Sequence, residues 1–308
     1  MANGPDHDFS KPIVESAARV AQQVRAQALM AFVDAVPDLD HLLAAVQPPT
    51  ALILVVRDAR DELRLKGSTV KTVTAPDFSL TRMGQIKMAT LLAFSQRLLS
   101  PGDVIVFLTG VHGKALDTLV TTQVGQEYEL FQSVDQPKLT EHIRRVVFQR
   151  VLTLALEVAY EGREGKPLGA LFVVGSHKEL EPFCRQNIIN PFRGYPERER
   201  NILDDAIRET VKEFCSIDGA FIIKGNGVIV SAGTTLHPTL AGEDLPQGLG
   251  ARHAVAAAIT ANTRSVALTV SESTGDVRIW RRGKMITEIE KGAEAPRTGL
   301  RKPMPDGG

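Results

Sequence analysis

The chain has 308 residues, of which 43% are hydrophobic and 23% are charged, as in an ordinary globular protein. This length favours two domains, because single hydrophobic cores seldom grow beyond about 250–300 residues. The 36 Lys and Arg residues balance the 36 Asp and Glu residues. This balance argues against a general attraction to nucleic acid or to an anionic membrane, and we expect neither as a partner.

Targeting signals are not evident in the sequence. No apolar run approaches the roughly 18–20 residues that span a bilayer, and the polar stretch from Met1 to Ser10 lacks the apolar core of a secretion signal. The only two cysteines, Cys184 and Cys215, exclude a disulfide scaffold and are predicted to be buried thiols. We therefore expect a cytoplasmic protein.

The first half of the chain alternates helical and strand patterns. After a predicted disordered tail over residues 1–11, a helix is expected to begin near Pro12. The elements that follow are predicted as strands at 52–56 and 70–73, a helix at 81–99, and strands at 104–108 and 119–124. The alternation indicates a small layered α/β domain over residues 12–130.

The second half is predicted to be a mixed β-sheet flanked by helices over residues 138–290, so the fold class is α/β with two domains. Its predicted elements are helices at 138–160, 203–214 and 252–260, and strands at 170–174, 221–223, 228–230, 265–270, 277–280 and 285–289. Asn226-Gly227 predicts a tight hairpin turn. We place the domain boundary near residues 130–138 and a second disordered tail at 291–308.

Asp218-Gly219-Ala220 immediately precedes a predicted strand. A turn, in which Asp bonds its own backbone and Gly takes a positive φ, explains the tripeptide on its own, and such turns are common. The alternative is a carboxylate at a strand end, able to hold a divalent metal or to accept a hydroxyl proton.

The glycine-rich stretch that begins at Gly248 and contains Gly250, Ala251, Arg252 and His253 leads directly into a predicted helix. Backbone N–H groups at a helix start form an anion site, and Arg252 adds a fork that matches phosphate oxygens. His253 can donate a hydrogen bond or bind a metal. The alternative, a loop whose glycines only permit tight packing, stays open at this point.

Ser271 and Glu272 end a predicted buried strand in a polar cluster that runs to Gly275. An exposed turn explains this cluster, and such turns are common. Alternatively, the cluster brings Glu272 to the mouth of a ligand cleft. A second basic cluster is explained as a solvated hairpin, and its members are Arg278, Arg281, Arg282 and Lys284.

About half of the chain resembles the diadenylate cyclase domain, which condenses two ATP molecules into cyclic di-AMP. The motifs in family order are Glu161 to Pro167, Asn190-Pro191-Phe192, Asp218-Gly219-Ala220, Leu236, Gly250-Ala251-Arg252-His253 and Ser271-Glu272-Ser273. An α/β domain ahead of this module resembles the archaeal type of the family. There the N-terminal part is similar to the C-terminal domain of pyruvate kinase, a resemblance that covers roughly residues 12–130.

This resemblance implies a metal-dependent nucleotidyltransferase that uses ATP, needs Mg²⁺ or Mn²⁺ and self-associates at least as a catalytic dimer. It implies catalytic roles for Asp218, Arg252 and His253, and metal binding by Asp218 and Glu272. The implied nucleotide-binding residues are Gly219, Ala220, Leu236, Gly250, Ala251, Ser271 and Glu272.

One departure from the family pattern concerns Ala254, where many relatives carry a second Arg. A Lys or Arg from another loop, or a larger share of metal, could replace that phosphate contact. A catalytically silent nucleotide-binding regulator is therefore an alternative function. In a further alternative, the N-terminal half contains an effector or partner site that controls the rest.

Overall fold

The structure is a computed structural model that describes residues 9–110, 115–125, 142–163, 167–186, 188–238 and 250–292. It confirms the predicted α/β class, because the described chain forms two separate sheets with helices packed on them. The predicted domain boundary near 130–138 lies outside the described residues. The limits 12–130 and 138–290 therefore stay predictions.

The first sheet has five strands in the order β3-β2-β1-β4-β5. Its elements are α1 (Ser10–Gln23), β1 (Ala28–Phe32), α2 (Leu39–Ala45), β2 (Ala51–Val56), α3 (Ala59–Arg64), β3 (Lys71–Thr74), α4 (Arg82–Ser95), β4 (Val104–Gly110) and β5 (Leu116–Gln123). The first four strands of that order run parallel, and β5 pairs with β4 in the antiparallel direction. The continuous apolar runs of β1, β2 and β4 suit parallel strands that are buried on both faces.

The central strand β1 was missed by the sequence analysis. It pairs with β2 on one side and β4 on the other, and all five of its residues are buried. The helices α2 and α3 were also not predicted. The predicted helix at 81–99 begins as expected, with the Thr81 side chain accepting a hydrogen bond from the Gly84 amide, but ends at Ser95.

The second sheet has seven strands in the order β12-β11-β10-β6-β8-β9-β7. Its elements are α5 (Arg145–Glu161), β6 (Ala170–Gly175), α6 (His177–Leu180), β7 (Cys184–Gln186), α7 (Arg208–Phe214), β8 (Ala220–Lys224), β9 (Ile229–Leu236), α8 (Ala251–Asn262), β10 (Val266–Val270), β11 (Val277–Arg281) and β12 (Lys284–Ile289). Only β6 and β8 pair in parallel among these described strands. The predicted mixed sheet and its hairpin around Asn226-Gly227 are confirmed.

Two predicted helix starts in this half are wrong. Residues 142–144 are not helical, because the Arg144 amide donates to the Gly225 carbonyl of the β8–β9 turn and α5 begins only at Arg145. The start of that prediction, 138–141, lies outside the described residues. The helix expected at 203–214 begins as a 3₁₀ turn at Asp205, and its α-helical part is α7.

Both predicted tails are wrong where the structure describes them. Ser10 and Lys11 belong to α1. Lys291 pairs with Leu80 in an isolated β-bridge, and the Gly292 amide donates to the Ser79 carbonyl. The C-terminal strand is thereby attached to the first half of the chain. The rest of the predicted tails, 1–8 and 293–308, lies outside the described residues.

A charged contact accompanies this attachment. Lys87 on α4 is largely buried, and its Nζ lies 2.5 Å from Glu290 Oε1 just after β12. A Cβ on Gly84 would lie 2.7 Å from the Glu290 carbonyl oxygen, so a glycine is needed for α4 to approach this segment. The two sheets therefore meet through α4 and the residues that follow β12.

Two further predictions concern the burial of the cysteines and segments that could span a bilayer. Both cysteines are free, and burial raises the pKa of Cys184 to about 11 and that of Cys215 to about 12. Cys215 is buried as predicted, but Cys184 is only partly buried. None of the helices in the described ranges combines the length and apolar character needed to cross a bilayer.

Candidate active site

A cavity of about 200 Å³ lies at the amino ends of the parallel strands β6 and β8. The end of β9 and the first turn of α8 complete it. Its walls are formed by Leu171, Asp218, Gly219, Ala220, Thr234, Thr235, Leu236, Ala251, Arg252 and Val255. Six of these residues were predicted as site residues, and the fold brings them together from three separate parts of the chain.

Gly219 determines how Asp218 is presented. Its φ is +119°, and a Cβ there would lie 2.6 Å from the carbonyl carbon of Gly233 and 2.7 Å from the amide of Thr234. Only glycine allows the chain to pass this close to β9 in that conformation. The turn leaves the Asp218 side chain 97% exposed, so its carboxylate is directed away from the protein core.

Arg252 lies between two carboxylates that come from different elements. Its Nη2 is 3.5 Å from Asp218 Oδ1, and its Nη1 is 3.3 Å from Glu272 Oε2. A Cβ on Gly169 would lie 2.5 Å from Nη1, so the guanidinium packs against backbone that only glycine leaves open. Arg252 is one-third exposed, which leaves part of its fork accessible to a ligand.

The amino end of α8 offers backbone donors beside Arg252. Gly250 is the N-cap residue and has no side chain with which to accept a hydrogen bond from the first turn. The first N–H groups of a helix have no intrahelical partner, and they carry the positive end of the helix dipole. In this helix of 12 residues, the donors lie next to Ala251 and Arg252 at the cavity wall.

His253 is buried one residue further along α8. Burial, and then the positive charges of Arg278 and Arg252, lower its pKa to about 4, so its imidazole is neutral at pH 7. Arg278 Nη1 lies 2.8 Å from His253 Nε2. Arginine can only donate, so Nε2 accepts and the ring proton is assigned to Nδ1.

The Nδ1 atom of His253 is buried and has no hydrogen-bond partner among the described residues. It lies 3.8 Å from the position of a Cβ on Gly250, and therefore faces the start of α8. A buried donor without a partner is costly unless a ligand accepts from it. The sequence analysis predicted that His253 donates a hydrogen bond or binds a metal. This geometry favours donation of a hydrogen bond from Nδ1, because Arg278 already occupies Nε2.

Ser271 and Glu272 have different surroundings, although they are adjacent. The Ser271 hydroxyl is buried, lies 3.2 Å from Ser273 Oγ and accepts from the Thr274 amide. It therefore supports its own turn and does not line the cavity. Glu272 lies outside the cavity lining as well, but its contact with Arg252 joins the turn after β10 to the site.

The sequence analysis missed several residues of this region. Leu171, Thr234, Thr235 and Val255 line the cavity and were not singled out. Val255 lies one helical turn beyond Ala251 and Arg252, a spacing that could have indicated it.

The predicted solvated basic hairpin is wrong for Arg278 and Arg281. Arg278 contacts both His253 and Glu288, and Arg281 is buried and donates to the Arg264 carbonyl. Arg282 and Lys284 are exposed, as predicted.

The predicted metal ligands Asp218 and Glu272 are both paired with Arg252. Within the described residues, no three His, Cys, Asp or Glu side chains form a group that could hold a metal ion. Two exposed carboxylates nevertheless suit an ion that arrives with a nucleotide. Mg²⁺ commonly uses one or two carboxylates together with phosphate oxygens and water, rather than a complete protein cage.

Comparisons with known proteins divide the chain in the same way as the two sheets. Residues 157–285 match the family described as "DisA bacterial checkpoint controller nucleotide-binding". Residues 10–131 match the family described as "Probable sensor domain DacZ_P". The first match contains every predicted site residue, and the second contains the whole five-stranded sheet.

Two curated relatives are named diadenylate cyclase. The protein from Methanocaldococcus jannaschii is 36% identical over 208 residues, which cover 64% of this chain and 63% of that protein. The protein from Haloferax volcanii is 36% identical over 203 residues, which cover 64% of this chain and 72% of that protein. The chain belongs to the diadenylate cyclase family.

Two solved structures are also similar in part. A hypothetical membrane spanning protein from Bacillus cereus is 21% identical, and the match covers 48% of this chain and 65% of that chain with a TM-score of 0.34. A pyruvate kinase from Cryptosporidium parvum is 19% identical, and the match covers 39% of this chain and 24% of that chain with a TM-score of 0.32. These scores are too low to establish a shared fold, so the pyruvate-kinase-like N-terminal domain stays a prediction.

Proposed function

We propose that this protein is a diadenylate cyclase that joins two ATP molecules into cyclic di-AMP and releases two pyrophosphates. In each half of the reaction, the 3′-hydroxyl oxygen of one ATP bonds to the α-phosphorus of the other. The bond from that phosphorus to the pyrophosphate breaks, and the hydroxyl proton leaves. Two such steps close the ring.

One observation carries this proposal. Asp218 and Arg252, far apart in the chain, lie 3.5 Å from each other at one small cavity. Over 64% of its length, the chain is 36% identical to two curated diadenylate cyclases. A carboxylate for the hydroxyl and a guanidinium for the phosphates are the two charges that this transfer needs at close range.

We assign the triphosphate to Arg252 and to the amino end of α8. The accessible part of the guanidinium can bind phosphate oxygens in a two-pronged manner. The backbone N–H groups of Gly250 and Ala251 and the Nδ1–H of His253 add neutral donors on the same side. These donors stabilise negative charge without themselves changing protonation.

The adenosine is assigned to the apolar part of the cavity. Ala220 and Leu236 are buried beside Leu171 and Val255, and they give the adenine ring a surface on which to pack. Gly219, which only as a glycine can lie this close to β9, gives the ribose a backbone wall at the same cavity. The hydroxyls of Thr234 and Thr235 at the same wall are further polar partners.

We assign Asp218 to the 3′-hydroxyl of a nucleotide held by a second copy of the chain. Its side chain is almost fully exposed, so it can reach a ligand on a facing protomer. The product is two-fold symmetric, and two protomers face to face would each supply one ATP and one carboxylate. In this arrangement one protomer alone presents half of a catalytic site.

The carboxylates of Asp218 and Glu272 would hold a Mg²⁺ or Mn²⁺ ion that arrives with the nucleotide. When bound, the ion would neutralise charge on the triphosphate. Arg252 would then exchange part of its contact with these two carboxylates for phosphate oxygens. The protein residues position the groups in line, and Asp218 receives or relays the hydroxyl proton.

The test is incubation of the full chain with ATP and either Mg²⁺ or Mn²⁺, followed by chromatography of the products. We expect cyclic di-AMP and pyrophosphate in a ratio of one to two. We also expect Asp218→Asn to abolish synthesis while leaving the fold intact, because it removes one charge at constant shape. Asp40→Asn, an exposed position on α2, is the matched control and should keep full activity.

ATP binding without turnover in the wild-type chain would instead support the alternative, a catalytically silent nucleotide-binding regulator. Normal turnover in Asp218→Asn would remove this carboxylate from the mechanism. The match of residues 10–131 to a sensor family suggests that the first domain adjusts the activity of the second. The attachment through Lys87 and Glu290 is one of the described contacts between the two halves through which this would act.

A further inference from the structure

A second and larger cavity, of about 950 Å³, lies at the opposite end of the second sheet. It opens at the carboxyl ends of the parallel strands β6 and β8, where ligands of α/β sheets commonly bind. It is lined by His142, Ile143, Arg144, Gly175, Ser176, His177, Lys178, Glu179, Lys224, Gly225, Asn226 and Arg264. It shares no lining residue with the cavity beside Asp218.

The charge of this lining is strongly positive. Four side chains carry a positive charge, namely those of Arg144, Lys178, Lys224 and Arg264, and one carboxylate opposes them. That carboxylate, Glu179, pairs with Arg264.

A second carboxylate, that of Glu197 outside the lining, lies 2.6 Å from Lys224 Nζ. The side chains of Arg144 and Lys178 form no ion pair or hydrogen bond with the described residues. Two positive charges thus remain for a ligand.

Backbone contacts hold the rim of the cavity in place, so its shape does not depend on flexible side chains alone. The Arg144 amide donates to the Gly225 carbonyl at 2.9 Å. A Cβ on Gly225 would lie 2.2 Å from the carbonyl oxygen of His142, so the two segments touch directly.

On the other wall, Glu179 accepts from the Arg264 amide at 3.1 Å and from its Nε at 3.0 Å. The Arg264 guanidinium keeps the pKa of Glu179 below its usual value. This carboxylate therefore stays ionised and fixes Arg264 at the rim.

One buried polar atom in this lining has no partner in the described chain. The Nδ1 atom of His177 is buried and makes no hydrogen bond there. The lining contains no aromatic ring other than two imidazoles, and its only large apolar side chain, Ile143, is buried. The cavity therefore offers mainly charge and hydrogen bonds, and no Phe, Tyr or Trp ring is present in its lining for a nucleobase to stack on.

We propose that this cavity binds an anion that carries two or more linked phosphate groups, and that it recognises the phosphates rather than a base. The cations of the lining come from separate elements, with Arg144 just before α5, Lys178 on α6 and Lys224 at the end of β8. A linked pair of phosphates can contact cations on more than one wall. The site is separate from the proposed catalytic site and does not depend on its function.

The test uses pyrophosphate and the full chain, and it reads out individual lysines. Exposed amines are acetylated under limiting reagent, and modification is followed by mass spectrometry. We expect pyrophosphate to slow acetylation of Lys178 by about fivefold or more, because a bound anion holds and covers the ammonium group. Lys66, exposed just after α3 in the first half of the chain and absent from the lining, is the matched control and should change little.

Variants separate this cavity from the candidate active site. Calorimetry should show that Arg144→Ala/Lys178→Ala weakens pyrophosphate binding by about tenfold or more, the scale of a lost charged hydrogen bond. Protection of Lys178 should persist in Arg252→Ala. Loss of that protection in Arg252→Ala, or an affinity unchanged by the double substitution, would overturn the proposal.

ADP tests the recognition of phosphate without a base. It should protect Lys178 at concentrations similar to those of pyrophosphate, because both carry two linked phosphates. Protection by ADP at a far lower concentration than pyrophosphate would contradict the inference that the cavity does not recognise the base. Circular dichroism of the Arg144→Ala/Lys178→Ala variant checks that its fold is intact.

Discussion

Arg252 is in contact with two carboxylates and with the backbone of Gly169, so its position is determined before any nucleotide binds. Such preorganisation reduces the entropy that a ligand must overcome. A shorter or differently shaped cationic side chain in place of Arg252 would not reach this position. It would leave the carboxylates of Asp218 and Glu272 without a positive charge between them.

We predict that Arg252→Ala weakens the binding of a non-hydrolysable ATP analogue by about 1.5–3 kcal/mol, the scale of a charge-assisted hydrogen bond. Titration calorimetry measures this. Arg193→Ala, an exposed arginine in a turn away from the cavity, is the control and should bind as the wild type does. If the Arg252 variant binds with unchanged affinity, the phosphates lie elsewhere.

His253 makes the stability of the protein depend on pH. Its folded-state pKa is about 4, below the value of 6.5 expected in the unfolded chain. Between these values the unfolded chain binds a proton that the folded chain does not. Its stabilising contribution is therefore complete above pH 6.5 and is lost as the pH falls towards 4, by at most about 1.4 kcal/mol per pH unit.

We predict that His253→Gln makes the free energy of unfolding less dependent on pH in this window, because glutamine does not titrate. Urea unfolding of both proteins at several pH values between about 4 and 6.5 measures the difference in slope. Other titrating groups contribute equally to both proteins and cancel. Parallel slopes would show that His253 is not held neutral in the fold.

At the scale of elements, the turn that joins α7 to β8 depends on Gly219. Asp218 is presented at the cavity only because this residue has a positive φ and lies against β9. The side chain of any other residue would meet the backbone of Gly233 and Thr234, which belong to the strand and cannot move easily.

We predict that Gly219→Ala lowers the free energy of unfolding by about 1–3 kcal/mol, since it combines an unfavourable backbone conformation with a steric clash. Gly194→Ala is the matched control, because Gly194 has a φ of +91° but open space around its Cβ position. It isolates the conformational part of the cost. Equal losses of unfolding free energy in the two variants would mean that β9 shifts to accommodate the added methyl group.

The strand β1 shows why some elements were not predictable from the sequence. Its residues, Ala28 to Phe32, include Ala, Leu and Met, which favour helices and are not β-branched. Their extended conformation comes from pairing with β2 on one side and β4 on the other. Strands such as β2 and β10, each of which contains three β-branched residues, were predicted correctly.

For the molecule as a whole, the exposed position of Asp218 is the feature that bears on assembly. The candidate site is open on the side where this carboxylate lies, and one protomer supplies only one such group. Under the proposed function, a second protomer would close the site.

We predict that specific activity falls on dilution, because under the proposed function two protomers form the catalytic site and each monomer alone would hold one ATP. Activity at several protein concentrations, with sedimentation velocity under the same conditions, measures this. The rate per chain should follow the fraction of dimer. Constant specific activity across a range in which the dimer dissociates would place both nucleotides on one protomer.

The sequence by itself determined the α/β alternation, the hairpin at Asn226-Gly227 and the identity of most groups at the candidate site, since these depend on neighbouring residues and short motifs. Only the tertiary structure decided which of these groups meet. The contacts of Arg252 with Asp218 and Glu272, and of Arg278 with His253, join residues on different elements. Such contacts follow from strand order and packing, which local patterns do not encode.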